Sequence, residues 1–304
     1  MAPWKFKDFD HDPNIPDQHI EDRMALEASG WIEKNHDRPF FLNYWMFSVH
    51  APFDAKMKLI EMYRTQADPA NAQRSPTYAA MVESMDDAVG TLLDTLDRLG
   101  LSENTIIIFT SDNGGNMYNR VDETTPTSNA PLRGGKATVY EGGTRVPAVV
   151  VMPGVTPNGS VCDSLIQSED YYPTLVEALG IAPPKEQKFD GRSFLKALND
   201  KPFDRDAIFQ YFPHGPKVPD NLPPAVSVHL GKWKLIRIFH DGDKREHRRV
   251  LYDLEEDIGE NTDLAVSYPE IVERLDKRIE QFLIETHAVL PVPNDSFELE
   301  VNAK

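Results

Sequence analysis

The sequence predicts an α/β protein with a largely parallel central sheet, because long apolar runs alternate with an amphipathic helix. Three runs have the length and continuous apolar character of buried parallel strands; they are residues 40–47, 105–110 and 146–151. Between the first two runs, apolar residues recur at helical spacing over residues 77–99, and Gly100 follows. Strand, helix and strand in this order form the repeating unit of α/β folds.

The pattern changes after about residue 200. Before this point a second helix is predicted over residues 170–179. After it, short strand candidates separated by turn residues replace the long runs, at residues 226–230, 233–239 and 250–254, and a helix follows over residues 269–285. These features predict an antiparallel sheet covered by the last helix, and a loop from Pro291 onward. We therefore predict an α/β domain over residues 1–204 and a smaller α+β subdomain over residues 205–304.

The composition excludes several classes of function. The 304 residues carry 32 Lys and Arg against 49 Asp and Glu, a net charge of -17, which disfavours nucleic acid and anionic membranes as partners. An anionic substrate would therefore need a local positive centre. No apolar run reaches transmembrane length. The single cysteine, Cys162, excludes an internal disulfide or a cysteine-rich metal site. The oligomeric state is left open.

Polar residues follow two of the predicted strands, where α/β sheets bind their ligands. His50 comes shortly after the first run, and Asp112 and Asn113 come after the second. Carboxylate and amide oxygens suit Ca²⁺ or, less well, Mg²⁺, and an imidazole can act as an acid or base near neutral pH. Taken alone, Asp112-Asn113 before glycine is more typical of a turn, and His50 of a structural histidine.

Two other stretches carry candidate substrate-binding residues. Arg133 and Lys136 flank a pair of glycines, an arrangement that can hold an oxyanion but is also common for solvated surface charge. His214 lies in a Pro- and Gly-containing stretch that could contact a sugar ring, and an incidental loop histidine is the alternative.

In combination these stretches resemble the sulfatase family, in the right order from about residue 20 to residue 285. The matching segments are Pro39–Leu42, His50–Pro52, Met81–Gly90, Ser111–Gly114, Leu132–Lys136, Tyr140–Pro147, Asp170–Leu175, Gly231–Leu235 and Leu251–Leu254. The resemblance implies an alkaline phosphatase-like sandwich with a small C-terminal α+β subdomain. It also implies hydrolysis of sulfate monoesters, of a sulfated carbohydrate or an aryl alcohol.

The resemblance also implies a role for each matching residue. Asp112 and Asn113 match two calcium ligands, Lys136 matches a lysine that contacts the sulfate ester, and His50 matches a substrate contact and possible proton donor near the scissile oxygen. Glu141 is expected to be a structural support. The family converts a Cys or Ser into formylglycine, whose hydrate attacks sulfur.

One family motif has no match in this sequence. The nucleophile motif Cys/Ser-x-Pro-x-Arg is absent: Cys162 lies in another context, and Ser75-Pro76 lacks the rest. We therefore expect an N-terminally truncated sulfatase that does not itself turn over sulfate esters. The alternatives are a non-catalytic remnant that binds a ligand or partner, and a phosphate or phosphonate monoester hydrolase. The compartment is open, although a periplasmic or extracellular location is expected if a signal peptide lies upstream.

Overall fold

A computed structural model of the chain describes residues 17–199, 201, 203, 205–215, 222, 224–242 and 244–293. The chain forms two compact units whose segments alternate along the sequence. The first unit extends to Phe109 and includes residues 115–129 and 149–153, and the second contains residues 110–114, 130–148 and those from 154 onward. The predicted division between residues 204 and 205 stays a prediction.

Three helices dominate the first unit: α1 (Ile20–Asn35), α2 (Met57–Gln66) and α3 (Pro76–Arg98). Helix α3 packs against both of the others, and its start follows from the sequence, because the Ser75 side chain accepts the Tyr78 N–H at 3.1 Å. The prediction of a helix over residues 77–99 is confirmed. In the described part of the chain, no helix is long and apolar enough to cross a bilayer.

The predicted strand at residues 40–47 is wrong. This stretch contains no regular secondary structure, and its side chains alternate between exposed and partly buried. Phe41 and Trp45 are 72% and 80% exposed. A strand requires a hydrogen-bonded neighbour, and none of the strands found in the described residues pairs with this stretch. This apolar run therefore forms a segment without strand pairing.

The other two apolar runs do form strands, although each strand is shorter than its run. Strand β1 (Ile107–Thr110) and strand β2 (Ala148–Val151) make a two-stranded sheet. β2 begins directly after Pro147, as expected because proline cannot donate a ladder hydrogen bond. A single-turn helix, α4 (Glu141–Thr144), precedes β2. Helix α5 (Tyr171–Ala178) confirms the helix predicted over residues 170–179.

The second unit contains a four-stranded antiparallel sheet in which the strands pair in chain order. The strands are β3 (Ile208–Phe212), β4 (Ala225–Leu230), β5 (Trp233–Ile238) and β6 (Arg248–Asp253). The last three confirm the predicted antiparallel sheet, whereas β3 was missed. β4 and β5 are joined by a tight turn in which Gly231 has a φ of 59°, a conformation that favours glycine.

The sheet is covered on both faces. Helix α6 (Pro269–Glu285) buries Leu275, Ile279 and Leu283 against Leu235 and other residues of one face. Because side chains alternate along a strand, Ile236 points to the opposite face. There it packs in a second cluster that includes Val139 and Tyr140, which directly precede α4. The sheet therefore supports α6 on one face and the segment leading into α4 on the other.

We expect replacement of Ile279 by alanine to destabilise the protein by about 2–5 kcal/mol, because it removes a fully buried side chain and leaves a cavity. The free energy of unfolding, measured by urea denaturation, tests this. Ile284→Ala on the same helix is the control, since Ile284 is 64% exposed, and it should change the stability far less. Equal losses in the two variants would contradict the packing of α6 described above.

Candidate active site

The predicted metal ligands lie in the turn after β1. The Ser111 Oγ donates to the backbone oxygen of Asn113 at 3.0 Å, Asp112 is exposed, and Asn113 is partly buried. The oxygens of Asp112 and Asn113 fit a hard divalent cation in their chemistry. No group of three or more His, Cys, Asp or Glu residues within the described ranges is arranged to hold a metal. These two residues would therefore supply only part of a ligand set.

The single-turn helix α4 fixes this turn through its backbone. The Gly114 N–H donates to the Gly143 oxygen at 3.0 Å. A Cβ added at Gly114 would lie 1.7 Å from the Gly142 oxygen, so only glycine permits this approach. On the other side, the Gly142 N–H donates to the Arg133 oxygen at 2.8 Å. The short helix α4 is thus hydrogen-bonded to two turns. One contains Asp112 and Asn113 and is called the Asp112 turn, and the other contains Arg133 and Lys136 and is called the Arg133 turn.

In the Arg133 turn, the two cationic side chains, Arg133 and Lys136, have different surroundings. The Arg133 guanidinium lies 4.1 Å over the Tyr140 ring and donates to the Glu260 backbone oxygen at 2.9 Å and to the Tyr252 hydroxyl at 3.3 Å. These contacts give Arg133 a structural role, and its predicted contact with substrate stays a prediction. Lys136 is partly buried, and its predicted contact with the ester is likewise untested.

A buried ion cluster, consisting of Glu141, Lys234 and Glu260, anchors the start of α4. The Lys234 Nζ lies 2.8 Å from Glu141 Oε1 and 2.9 Å from Glu260 Oε1, and the Lys234 and Glu260 side chains are fully buried. The Glu141 N–H donates to Glu260 Oε2 at 2.6 Å, and Arg145 Nε reaches Glu141 Oε2 at 2.6 Å. Glu141 is therefore a structural support, as the family resemblance implies.

The two carboxylates of the cluster differ in their electrostatics. Burial alone would raise the pKa of Glu141, but the contacts with Lys234 and Arg145 outweigh burial and lower it. Burial raises the pKa of Glu260, which Lys234 offsets only in part. Glu141 is accordingly ionised across the neutral pH range, and its charge lies at the first residue of α4.

A buried histidine lies next to the ion cluster. His229 pairs with Lys234 across strands β4 and β5, and its Nε2 lies 2.8 Å from the Gly231 oxygen. Burial lowers the pKa of His229, and the positive charges of Lys234 and Arg145 lower it further, whereas Glu141 acts in the opposite direction. His229 is therefore neutral in the folded protein at neutral pH.

The two histidines that the sequence analysis assigns to the site, His50 and His214, are both exposed. His50 belongs to the first unit, and its Nδ1 lies 2.6 Å from the Ala51 oxygen. His214 follows β3 in the second unit, with its ring centroid 5.2 Å from that of Phe212. The placement of either histidine beside Lys136 stays a prediction.

Solved structures show which class of fold these elements define. The crystal structure of Ps i-CgsB matches with a TM-score of 0.74 and 27% identity, over 87% of this chain and 55% of that one. This similarity places the chain in the alkaline phosphatase-like α/β class, as the resemblance to the sulfatase family implies.

The family follows from sequence comparison. The Sulfatase family model matches residues 4–181, and the model described as N-sulphoglucosamine sulphohydrolase, C-terminal, matches residues 135–285. The chain belongs to the sulfatase family. A sulfatase of Formosa agariphila is 33% identical over 89% of this chain and 51% of its own length. Steryl-sulfatase of Rattus norvegicus is 35% identical over 59% of this chain and 30% of its own length. The chain thus spans about half or less of these relatives.

We expect Gly114→Ala to destabilise the protein by at least about 2 kcal/mol, because the added Cβ would collide with the backbone of α4. Gly90→Ala is the matched control, since a Cβ at Gly90 meets nothing within 4 Å and alanine favours the helix. Urea unfolding of both variants measures the difference. If Gly114→Ala were as stable as Gly90→Ala, the close approach of the Asp112 turn to α4 would be incorrect.

We also expect acidification from about pH 7.5 to about pH 5.5 to lower the melting temperature, in part through His229. A histidine in the unfolded chain takes up its proton near its ordinary pKa of about 6.5, whereas folded His229 does so only at lower pH. The unfolded state therefore binds more protons in this window, and stability falls as the pH falls. His229→Gln should reduce the loss, as calorimetry at both pH values would show. An unchanged loss would contradict this role of His229.

Proposed function

We propose that the whole protein is a sulfuric ester hydrolase and that this chain supplies part of its metal-binding and ester-binding site. Membership in the sulfatase family supports the reaction class. The observation that carries the assignment of the site is the backbone link through α4, which joins the Asp112–Asn113 turn to the Arg133–Lys136 turn. Proteins of this family are typically secreted or periplasmic, and export is part of the proposal.

The substrate we propose is a sulfate monoester of a carbohydrate or an aryl alcohol. Ps i-CgsB, with a TM-score of 0.74, was also crystallised in complex with k-i-k-neocarrahexaose, which supports a sugar as the alcohol. The net charge of -17 repels anions from most of the surface. A short substrate held at one cationic point is therefore favoured over a long, highly sulfated polymer.

Each proposed residue has a distinct task. Asp112 and Asn113 would hold Ca²⁺, which would supply positive charge to the site when bound. In the family the nucleophile is formylglycine, and its motif has no match in this sequence. The Lys136 ammonium would bind the sulfate oxygens and neutralise the charge that develops on them. His50 would donate a proton to the oxygen of the departing alcohol as its bond to sulfur breaks.

The test is to titrate the 304-residue chain with 4-nitrophenyl sulfate in the presence of Ca²⁺, following binding by calorimetry and turnover by absorbance. We expect binding that weakens about tenfold or more in Lys136→Ala and in Asp112→Ala, because each removes a charge aimed at the anion or its cation. Asp163→Ala, which alters an exposed aspartate in another loop, is the control and should bind like the parent chain.

Turnover is expected to be absent, because the sequence contains no Cys/Ser-x-Pro-x-Arg motif. Turnover that disappears in Lys136→Ala would reveal a nucleophile elsewhere in the chain. If 4-nitrophenyl phosphate bound more tightly than the sulfate ester, a phosphate or phosphonate hydrolase would replace the sulfatase assignment. Equal affinity of all three variants for 4-nitrophenyl sulfate would show that the Asp112 turn and the Arg133 turn do not form the ester-binding site.

A further inference from the structure

Helix α4 is too short to maintain its own position. It contains four residues, Glu141–Thr144, whereas isolated helices become stable only at about 12–15 residues or more. Its conformation must therefore be imposed by contacts with the rest of the second unit. Two of those contacts are the backbone bonds to the Asp112 turn and the Arg133 turn described above, so an external anchor of α4 is also an anchor for both turns.

The buried ion cluster provides this anchor. The Glu141 side chain contacts Lys234 at 2.8 Å, and its backbone N–H donates to Glu260 at 2.6 Å. Both the side chain and the backbone of the first α4 residue are thereby fixed. Lys234 lies on β5 and Glu260 lies in the segment after β6, so the C-terminal sheet holds the start of α4 directly.

Simple stabilisation does not explain this cluster well. Desolvation of charged groups costs several kcal/mol per ion, and well-packed apolar residues of similar volume are often at least as stabilising as a buried ion pair. A buried charge does, however, demand a specific partner in a specific direction. The cluster is therefore suited to fix where α4 lies, which apolar packing against the same face would define less sharply.

We propose that Lys234 and Glu260 are positioning residues of the candidate active site, acting through Glu141 and α4. They hold the Asp112–Asn113 turn and the Arg133–Lys136 turn at a fixed separation, so that the cation and the ester meet preorganised groups. What these turns bind rests on the proposed function, whereas the mechanical coupling does not.

The chain offers a matched pair of buried cations for the test. Arg237 lies on the same strand as Lys234, three residues later, and so points to the opposite face. Its Nε lies 2.6 Å from Asp276 and its Nη1 lies 2.7 Å from Glu280, both on α6. Lys234→Met and Arg237→Met therefore each remove one buried cation with two carboxylate partners, but only the first disconnects α4.

The experiment measures amide hydrogen exchange by NMR in both variants, under urea concentrations that equalise their global stability. In Lys234→Met we expect the amides of Gly114 and Gly142, which donate the two α4 bonds, to exchange at least roughly tenfold faster than in Arg237→Met. In Arg237→Met the faster amides should lie in α6 instead.

A milder variant covers the case in which Lys234→Met does not fold. Glu260→Gln keeps the side-chain volume and an oxygen that can accept the Glu141 N–H, but it replaces the carboxyl group that lies 2.9 Å from Lys234 Nζ by a neutral amide. It should accelerate the same two amides by a smaller factor. If neither Lys234→Met nor Glu260→Gln accelerates Gly114 and Gly142 more than Arg237→Met does, the proposal is overturned.

A calcium titration of the same samples separates this proposal from the proposed function. If the parent chain binds Ca²⁺ at the Asp112 turn, the affinity should fall about 10- to 100-fold in Lys234→Met, as for other changes to groups that orient metal ligands. It should stay at the parent value in Arg237→Met. Faster Gly114 exchange without any Ca²⁺ binding by the parent chain would support the positioning role while contradicting the proposed metal site. Ca²⁺ binding with unchanged exchange would do the reverse.

Discussion

The contact between Lys234 and two buried carboxylates is the constraint on which the candidate site depends. Glu141, one of the two carboxylates, begins a helix of only four residues, and the backbone of that helix holds two separate turns. The glycines of α4 and of the turns allow their backbones to approach more closely than side chains would permit. Such close packing transmits the position of Glu141 to both turns, because closely packed backbones do not deform independently.

The positively charged residues near the two turns have different roles in this acidic protein. The acidic surface would repel a sulfate ester, so the few cations near the two turns matter more than their number suggests. Arg133 is engaged by an aromatic ring and a backbone oxygen, and Lys234 is fully buried. Both therefore shape the turns. A contact with the ester is proposed for Lys136, and the contact predicted for Arg133 stays a prediction.

The sequence predicted those elements whose apolar pattern is strong enough to identify them. Helices α3 and α6 and strands β4 to β6 follow their periodicities closely. Strand β3 was missed because Tyr211 and Phe212 run directly into Pro213 and Gly215, which are typical of a loop. The run over residues 40–47 was misassigned for the opposite reason. Its composition suits a strand, but pairing depends on neighbours that a local pattern does not reveal.

The residue types of the candidate site could be read from the sequence, but the contacts that support it could not. Asp112, Asn113 and Lys136 stand out by residue type, whereas Lys234 looks like a solvated strand residue. Its burial could have been inferred, however, because β5 carries Leu235 on one face and Ile236 on the other, which indicates that both faces are covered. A cation on a covered face requires a partner. The sequence cannot identify that partner, because Glu141 lies 93 residues earlier in the chain and only the fold brings the two together.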